Sequence, residues 1–263
     1  MRTIDDLVRD RPTGGDLRAH VRQEPLAAYL ERRDHGSSST LRRALRSGPA
    51  AADTPFADDG SQRLAQALHA LVFEPARFVH DHLVLDRDSP PAEEQAEALD
   101  RTWITGAEYA RLAGARDAIR AYPREPLAAW IDAGMKEMSI YWADAAGGRW
   151  KARPDCFTDE IILELKTTGD VRPRAFARTR KRFGYDLQAA HYVEAVGRLT
   201  GRTPRFAYIA VELQAPFYAW VHELSSADLA SATARLEIAR ERLSSSKAAR
   251  PRTAEQRPPT HRR

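Results

Sequence analysis

The 263-residue chain has a single cysteine, Cys156. One thiol excludes a disulfide framework, and it excludes an all-cysteine zinc or iron–sulfur site within one chain. Cys156 itself reads as a small buried residue on the core face of a strand. Long apolar runs are missing too, since none approaches the roughly 20 residues of a membrane-spanning helix. The Met-Arg-Thr-Ile-Asp-Asp start lacks the apolar region of a secretory signal. These absences lead to the expectation of a soluble, cytoplasmic chain. A large charge imbalance is also absent: 41 Lys and Arg stand against 37 Asp and Glu, a net +4. Where the charges lie therefore matters more than their sum. The length suffices for one large domain or two small ones, with a substantial core.

What the chain does have is concentrated at residues 150–168, Trp-Lys-Ala-Arg-Pro-Asp-Cys-Phe-Thr-Asp-Glu-Ile-Ile-Leu-Glu-Leu-Lys-Thr-Thr. Two short apolar runs meet around Thr-Asp-Glu at 158–160, which reads as a β-hairpin. Strand side chains alternate faces, so Ile161, Leu163 and Leu165 point to a core while Ile162, Glu164 and Lys166 share the other face. Strand pairing brings Asp155 beside Glu164 and Lys166. Two converging carboxylates repel unless a cation lies between them, and a hard ion such as Mg²⁺ or Mn²⁺ suits oxygen ligands. Lys166 is then placed to hold an attacking water and to offset charge on a phosphate. On spacing alone, a cross-strand salt bridge explains the same residues.

In chain order, residues 1–36 read as a loosely attached arm with a short helix over 25–33. Ser37–Ser39 cap a helix carrying Leu41, Ala44 and Leu45, which Gly48-Pro49 ends. Residues 51–60 are a loop. Ser61–Phe73 is an amphipathic helix with Leu64, Leu68, Leu71 and Val72 as its stripe. His69 lies beside that stripe, where a packing or surface role is the commoner one. Residues 86–100, acidic with paired prolines, read as a solvated connector. Helices are expected over 106–122 and Leu127–Ala133, then an alternating strand over 135–142 with Glu137 on its wet face. Together with the strands of 150–168 this makes an antiparallel meander.

Past Lys166, residues 171–182 hold Arg172, Arg174, Arg178, Arg180, Lys181 and Arg182 with almost no acid. Such a basic loop suits a phosphate backbone, with Phe176 and Phe183 to stack on bases or anchor the loop. Asp186 is expected to cap a helix over 187–199, on which Gln188 and Tyr192 face the same way. Strands follow at 206–213 and 217–224, then a helix capped by residues 225–228 and running to about 242. The basic tail 244–263 lacks a core pattern and is expected to be disordered and to bind nucleic acid nonspecifically.

This order of elements, with these residues, resembles the PD-(D/E)xK nuclease superfamily, and within it the RecE-type (exodeoxyribonuclease VIII-like) and RecB-like exonucleases. The marks are Ala-Leu-His-Ala-Leu-Val-Phe-Glu-Pro (67–75), Trp-Ile-Thr-Gly-Ala-Glu-Tyr (103–109), Lys-Glu-Met-Ser-Ile-Tyr-Trp (136–142) and Lys-Ala-Arg-Pro-Asp (151–155). Further marks are Glu-Leu-Lys-Thr-Thr (164–168), Gly-Tyr-Asp-Leu-Gln-Ala-Ala-His-Tyr (184–192) and Ala-Val-Glu (210–212). Each is weak alone, and they are specific as an ordered set. The resemblance implies an α/β (α+β) fold, a central mixed β-sheet with an antiparallel meander flanked by helices, as in a restriction-endonuclease-like core. It implies a nuclease domain over 37–243 between the arm and the tail.

The resemblance assigns Asp155 and Glu164 as metal-binding carboxylates, the Leu165 carbonyl and His69 as further ligands, and Lys166 as the catalytic lysine. Gln188 and Tyr192 match the Gln-x-x-x-Tyr motif near the substrate, with Glu137 at the metal or one residue beyond. Arg153 and the cations of 172–182 are candidate DNA contacts. Glu at 164 departs from the Asp common in RecE-like sequences. The implied activity is Mg²⁺-dependent, two-metal hydrolysis of linear double-stranded DNA from its ends, 5′ to 3′, in recombination. Implied partners are double-stranded DNA ends, a single-strand annealing protein and further copies of the chain in a ring, with no membrane. An endonuclease or single-strand-specific nuclease on the same core, and a noncatalytic nucleic-acid-binding protein, are the rival readings.

Overall fold

A computed structural model of the protein describes residues 19–48, 61–86 and 101–249. In chain order come strand β1 (His20–Arg22), helices α1 (Leu26–Glu31), α2 (Ser38–Ser47), α3 (Ser61–Phe73) and α4 (Pro75–Asp81), and strands β2 (His82–Leu85) and β3 (Thr102–Thr105). Helices α5 (Gly106–Arg120) and α6 (Leu127–Ala133) lead into β4 (Met135–Lys136), β5 (Ser139–Ala143), β6 (Arg149–Ala152), β7 (Cys156–Phe157) and β8 (Ile161–Thr167). Then follow α7 (Pro173–Phe183), α8 (Tyr185–Thr200), β9 (Arg205–Val211), β10 (Ala219–Glu223) and α9 (Ser226–Ala249).

The largest sheet has the order β10-β9-β8-β7-β4 and is mixed: β8 and β9 run parallel, the other pairs antiparallel. Parallel neighbours need a crossover, which α7 and α8 supply. The period of two along β8 buries both its faces. Ile161, Leu163 and Leu165 join Leu68 of α3, Leu112 of α5 and Ile131 of α6 in one core. Ile162 joins Leu187 and Val196 of α8, Leu236 of α9 and Trp142 of β5 in the other. Each fully buried Leu or Ile contributes about 1.5–3 kcal/mol. The result is the mixed sheet flanked by helices that the resemblance implied.

Local chemistry sets the helix starts. Ser37 caps α2, its side chain accepting from the Thr40 N–H while the Thr40 side chain accepts from the Ser37 N–H. Thr105 and Glu108 form the same reciprocal pair at α5. Such caps contribute about 1 kcal/mol each. No helix among the described residues is long and apolar enough to cross a membrane.

Several expectations change. Residues 135–142 are not one strand, because Glu137 adopts φ 51 and ends β4. Strand β4 pairs with β7 in the large sheet, whereas β5 pairs with β6 and β1 in a separate three-stranded sheet. Pro154, which has no N–H to donate, separates β6 from β7. The meander is therefore divided between two sheets. The basic segment is a helix, not a loop. Arg and Lys are good helix formers, Pro173 suits a first turn, and Gly184 ends α7 at φ 66. Phe176 anchors it, buried and stacked on His222. Asp186 is not a cap but lies in the first turn of α8, 2.7 Å from Arg180. Helix α9 runs on to Ala249, past the expected end near 242, so residues 244–249 continue the helix where a disordered tail was expected.

Residues 19–36 are packed, contrary to the loose arm expected there. Strand β1 pairs with β5, and Tyr29 of α1 is buried. The Lys151 ammonium donates to the carbonyls of Tyr29 at 2.6 Å and Arg32 at 2.9 Å. Gly36 bridges to Trp150 so closely that a Cβ there would sit 2.5 Å from the indole ring. This attachment is made largely through backbone groups, which leave no apolar periodicity to read. The rest of the arm (1–18), the loop before α3, nearly all of the acidic connector and the tail beyond 249 lie outside the described residues.

Candidate active site

Strand β8 outruns β7, and the site is built in the gap. Beyond the β7 pairing, the Leu165 N–H donates to Asp155 Oδ2 at 2.7 Å. A side-chain carboxylate thus takes the place of a missing strand partner. The N–H and C=O of one strand residue face the same side, so the Leu165 carbonyl opens toward the same space.

Glu164 points to the opposite face from Leu165 and is 2% exposed. Its Oε1 accepts from Lys166 Nζ at 2.8 Å and from Gln188 Nε2 at 2.8 Å. Gln188 also donates to the Tyr192 hydroxyl at 3.2 Å, so the amide and phenol do share one face of α8. Gln188 Oε1 is buried without a hydrogen-bond partner among the described residues. The Tyr185 ring centroid lies 5.0 Å from Lys166 Nζ, a contact the sequence reading missed. Its signal was present, since residues 185, 188 and 192 recur at helical spacing on one face.

From the other side of the sheet, α3 brings His69 Nδ1 to 3.2 Å from Asp155 Oδ1. Ligand atoms of His69, Glu137 and Asp155 all lie within 4.8 Å of one another. Glu137 gets there through its left-handed backbone, with its N–H donating to the Asp155 carbonyl at 3.1 Å. A non-glycine residue in that region costs about 1–3 kcal/mol and needs outside support. Arg153 supplies some of it. Its Nε donates to Glu137 Oε2 at 2.9 Å, and its Nη1 donates to Ser139 Oγ at 2.8 Å and to the Glu24 carbonyl at 3.1 Å. Arg153, expected as a DNA contact, is buried and occupied in this way.

Electrostatics record an excess of buried negative charge. Burial, then Asp155, raise the Glu164 carboxyl to about 7. Burial and Asp155 likewise raise Glu137. Burial opposes the charged form of Lys166, but Glu164 and Asp155 outweigh it and raise the ammonium. Burial similarly opposes charge on His69 and Asp155, yet their mutual attraction raises the imidazole and lowers the carboxyl. An imidazole and two carboxylates around one point, beside a carbonyl and a carboxyl pushed toward neutral pH, fit a hard divalent cation.

The cations of the 171–182 segment sort by helix face. Arg172 pairs with Asp170, and Arg180 is inward, paired with Asp186 and Asp228. Arg174, Arg178, Lys181 and Arg182 are exposed along the outer side of α7. A cleft of about 580 Å³, lined by Gln62, Gln66, Glu74 and Arg77 among others, opens on His69 and Glu137.

No curated protein matches the sequence. Among solved structures, the "Putative exonuclease" of Eubacterium rectale is 15% identical and superposes with a TM-score of 0.58, covering 86% of this chain and 87% of that one. At that identity the likeness is one of fold. An alkaline exonuclease from Laribacter hongkongensis is 13% identical over 84% of this chain and 94% of that one, with a TM-score of 0.34. The family model of the PDDEXK-like domain of unknown function (DUF3799) matches residues 59–256, so the chain belongs to that family and has a PD-(D/E)xK nuclease fold.

Proposed function

We propose that the protein is a divalent-metal-dependent deoxyribonuclease that hydrolyses linear double-stranded DNA from its ends, 5′ to 3′, with Mg²⁺ as its ion and Mn²⁺ as a substitute. The observation that carries this reading is the convergence of His69, Glu137 and Asp155 within 4.8 Å, beside the Lys166–Glu164 pair, on this fold. Those three side chains and the Leu165 carbonyl would hold the ion, which would supply Lewis acidity toward a phosphate oxygen. Lys166, fixed by Glu164, orients the attacking water and offsets charge developing on the phosphate. Gln188 holds Glu164 in place, and Tyr192 holds Gln188. The exposed cations of α7 bind the backbone of the duplex. The resemblance to RecE-type enzymes adds a role in recombination, a ring of subunits and a single-strand annealing partner to the proposal.

The test is digestion of linear duplex DNA labelled at either end, beside a covalently closed circle, with and without Mg²⁺. Metal-dependent loss of the linear form alone, 5′ label first, is the expected result. Cutting of the circle would replace the reading with an endonuclease, and binding without cleavage in either ion would leave a noncatalytic binder.

A further inference from the structure

The corner between α7 and α8 carries an aromatic arrangement that the hydrolytic chemistry does not use. Gly184, at φ 66, turns the chain so sharply that Phe183 and Tyr185 end up side by side. Their rings stack, with centroids 5.6 Å apart and planes 22° from parallel. Tyr185 leans inward, against Tyr208 and beside the Lys166 ammonium. Phe183 remains 48% exposed. Cations flank both ends: the Arg182 guanidinium lies 5.4 Å from the Phe183 ring centroid, and Lys166 Nζ lies 5.0 Å from that of Tyr185. The corner is also fixed from behind, since Arg42 of α2 donates to the Phe183 carbonyl at 3.3 Å.

We propose that the Phe183–Tyr185 pair is a stacking platform for one unpaired nucleobase of the strand whose backbone runs past Lys166. This rests on the nuclease reading and deepens it, because it makes a locally unpaired strand the form that enters the site. A single exposed phenylalanine is ordinary. A held, stacked pair running from solvent to the site lysine, with cations at both ends, matches what single-stranded nucleic acid needs: a π-face for the base and positive charge for the backbone. Arg174, Arg178, Lys181 and Arg182 continue that charge outward along α7. Bases inside a duplex are stacked on both faces and offer none to this platform, whereas an unpaired base at the strand end offers one while its backbone continues toward Lys166.

The experiment uses full-length Asp155→Asn protein, to prevent cleavage, and single-stranded oligonucleotides carrying one 2-aminopurine at successive positions from the end. Stacking on the platform quenches the probe, and strong quenching is expected at one position only. Phe183→Ala is expected to abolish that quench and to weaken binding about tenfold, the scale of one base–aromatic stack. Phe183→Trp is expected to restore both. Quenching and affinity unchanged in Phe183→Ala, with its melting temperature unchanged, overturn the platform. Hydrolysis of linear duplex by the wild-type protein is measured separately. Cleavage together with an unaffected Phe183→Ala quench removes the platform and leaves the nuclease. A Phe183-dependent quench without any cleavage keeps the platform and removes the nuclease.

Discussion

Two basic stretches of this chain look alike in sequence and behave as opposites. Lys151 and Arg153, two residues apart around the end of β6, project to one side. There they are 5% and 8% exposed and hold carbonyls of residues 19–36. Burial lowers the Lys151 ammonium below its usual range. In α7 the same residue types repeat around a helix, and only Arg180 turns inward to carboxylates. The others meet solvent. Positive charge in a sequence therefore gives no destination by itself. The period of the element carrying it decides whether it ties the molecule together or faces a partner.

The sharpest way to break this contrast is Arg153→Ala. It leaves Glu137 partly buried without its cation and removes support from a left-handed backbone, and losing one member of such a pair costs about 3–5 kcal/mol. A large drop in melting temperature is expected, with Arg153→Lys recovering only part because it lacks the planar fork. Lys166→Ala tests a third kind of cation, one that the proposed function assigns to chemistry. Steady-state cleavage is expected to fall about 10²- to 10³-fold, with the far-ultraviolet spectrum retained.

The pH dependence of stability without divalent metal comes next in size. Glu164 is raised from 4.5 to about 7, so it binds its proton more tightly folded than unfolded, and stability falls as pH rises across that interval. Glu137, raised from 4.5, adds to the same decline, and His69, raised from 6.5, acts in the same direction above its unfolded value. Asp155, lowered from 3.8, has its contribution in full above that value and adds no slope here. The Glu164 part amounts to at most about 3 kcal/mol. Denaturant titrations from pH 4.5 to 7.5 should show the decline, with Glu164→Gln flattening it; an equal slope in both proteins would refute the assignment. Smallest of all, Arg174→Ala and Arg178→Ala should change stability by less than about 0.5 kcal/mol. Each should instead lower the salt dependence of DNA binding by about 0.9 per lost phosphate contact.

Much of the scaffold was legible because one face of each element is apolar. Ser61–Phe73 and Leu127–Ala133 were bounded as observed, and β8 was sorted correctly into its two faces. The break at Glu137 was not legible, because Met138, Ile140 and Trp142 keep alternating past it; one left-handed residue re-aims a strand without disturbing its pattern. Helix α7 was hidden by its charge, its one buried anchor, Phe176, being too little to mark a stripe. The attachment of residues 19–36 runs through carbonyl oxygens, which every residue has. Within the site, strand and helix spacing sufficed to pair Glu164 with Lys166 and Gln188 with Tyr192. Contacts between distant segments, such as Arg153 with Glu24, have no spacing to read.

The carboxylate of Asp155 has two employments, because the Leu165 N–H depends on it as a neighbouring strand would serve elsewhere. Loss of that acceptor strands a buried donor, at about 1–3 kcal/mol. A descendant of this chain without the proposed chemistry would therefore still be under pressure to keep an oxygen at position 155. Asparagine satisfies that pressure and alanine does not. An acidic or amide residue at this place in a relative is thus a sign of an intact sheet before it is a sign of a working site.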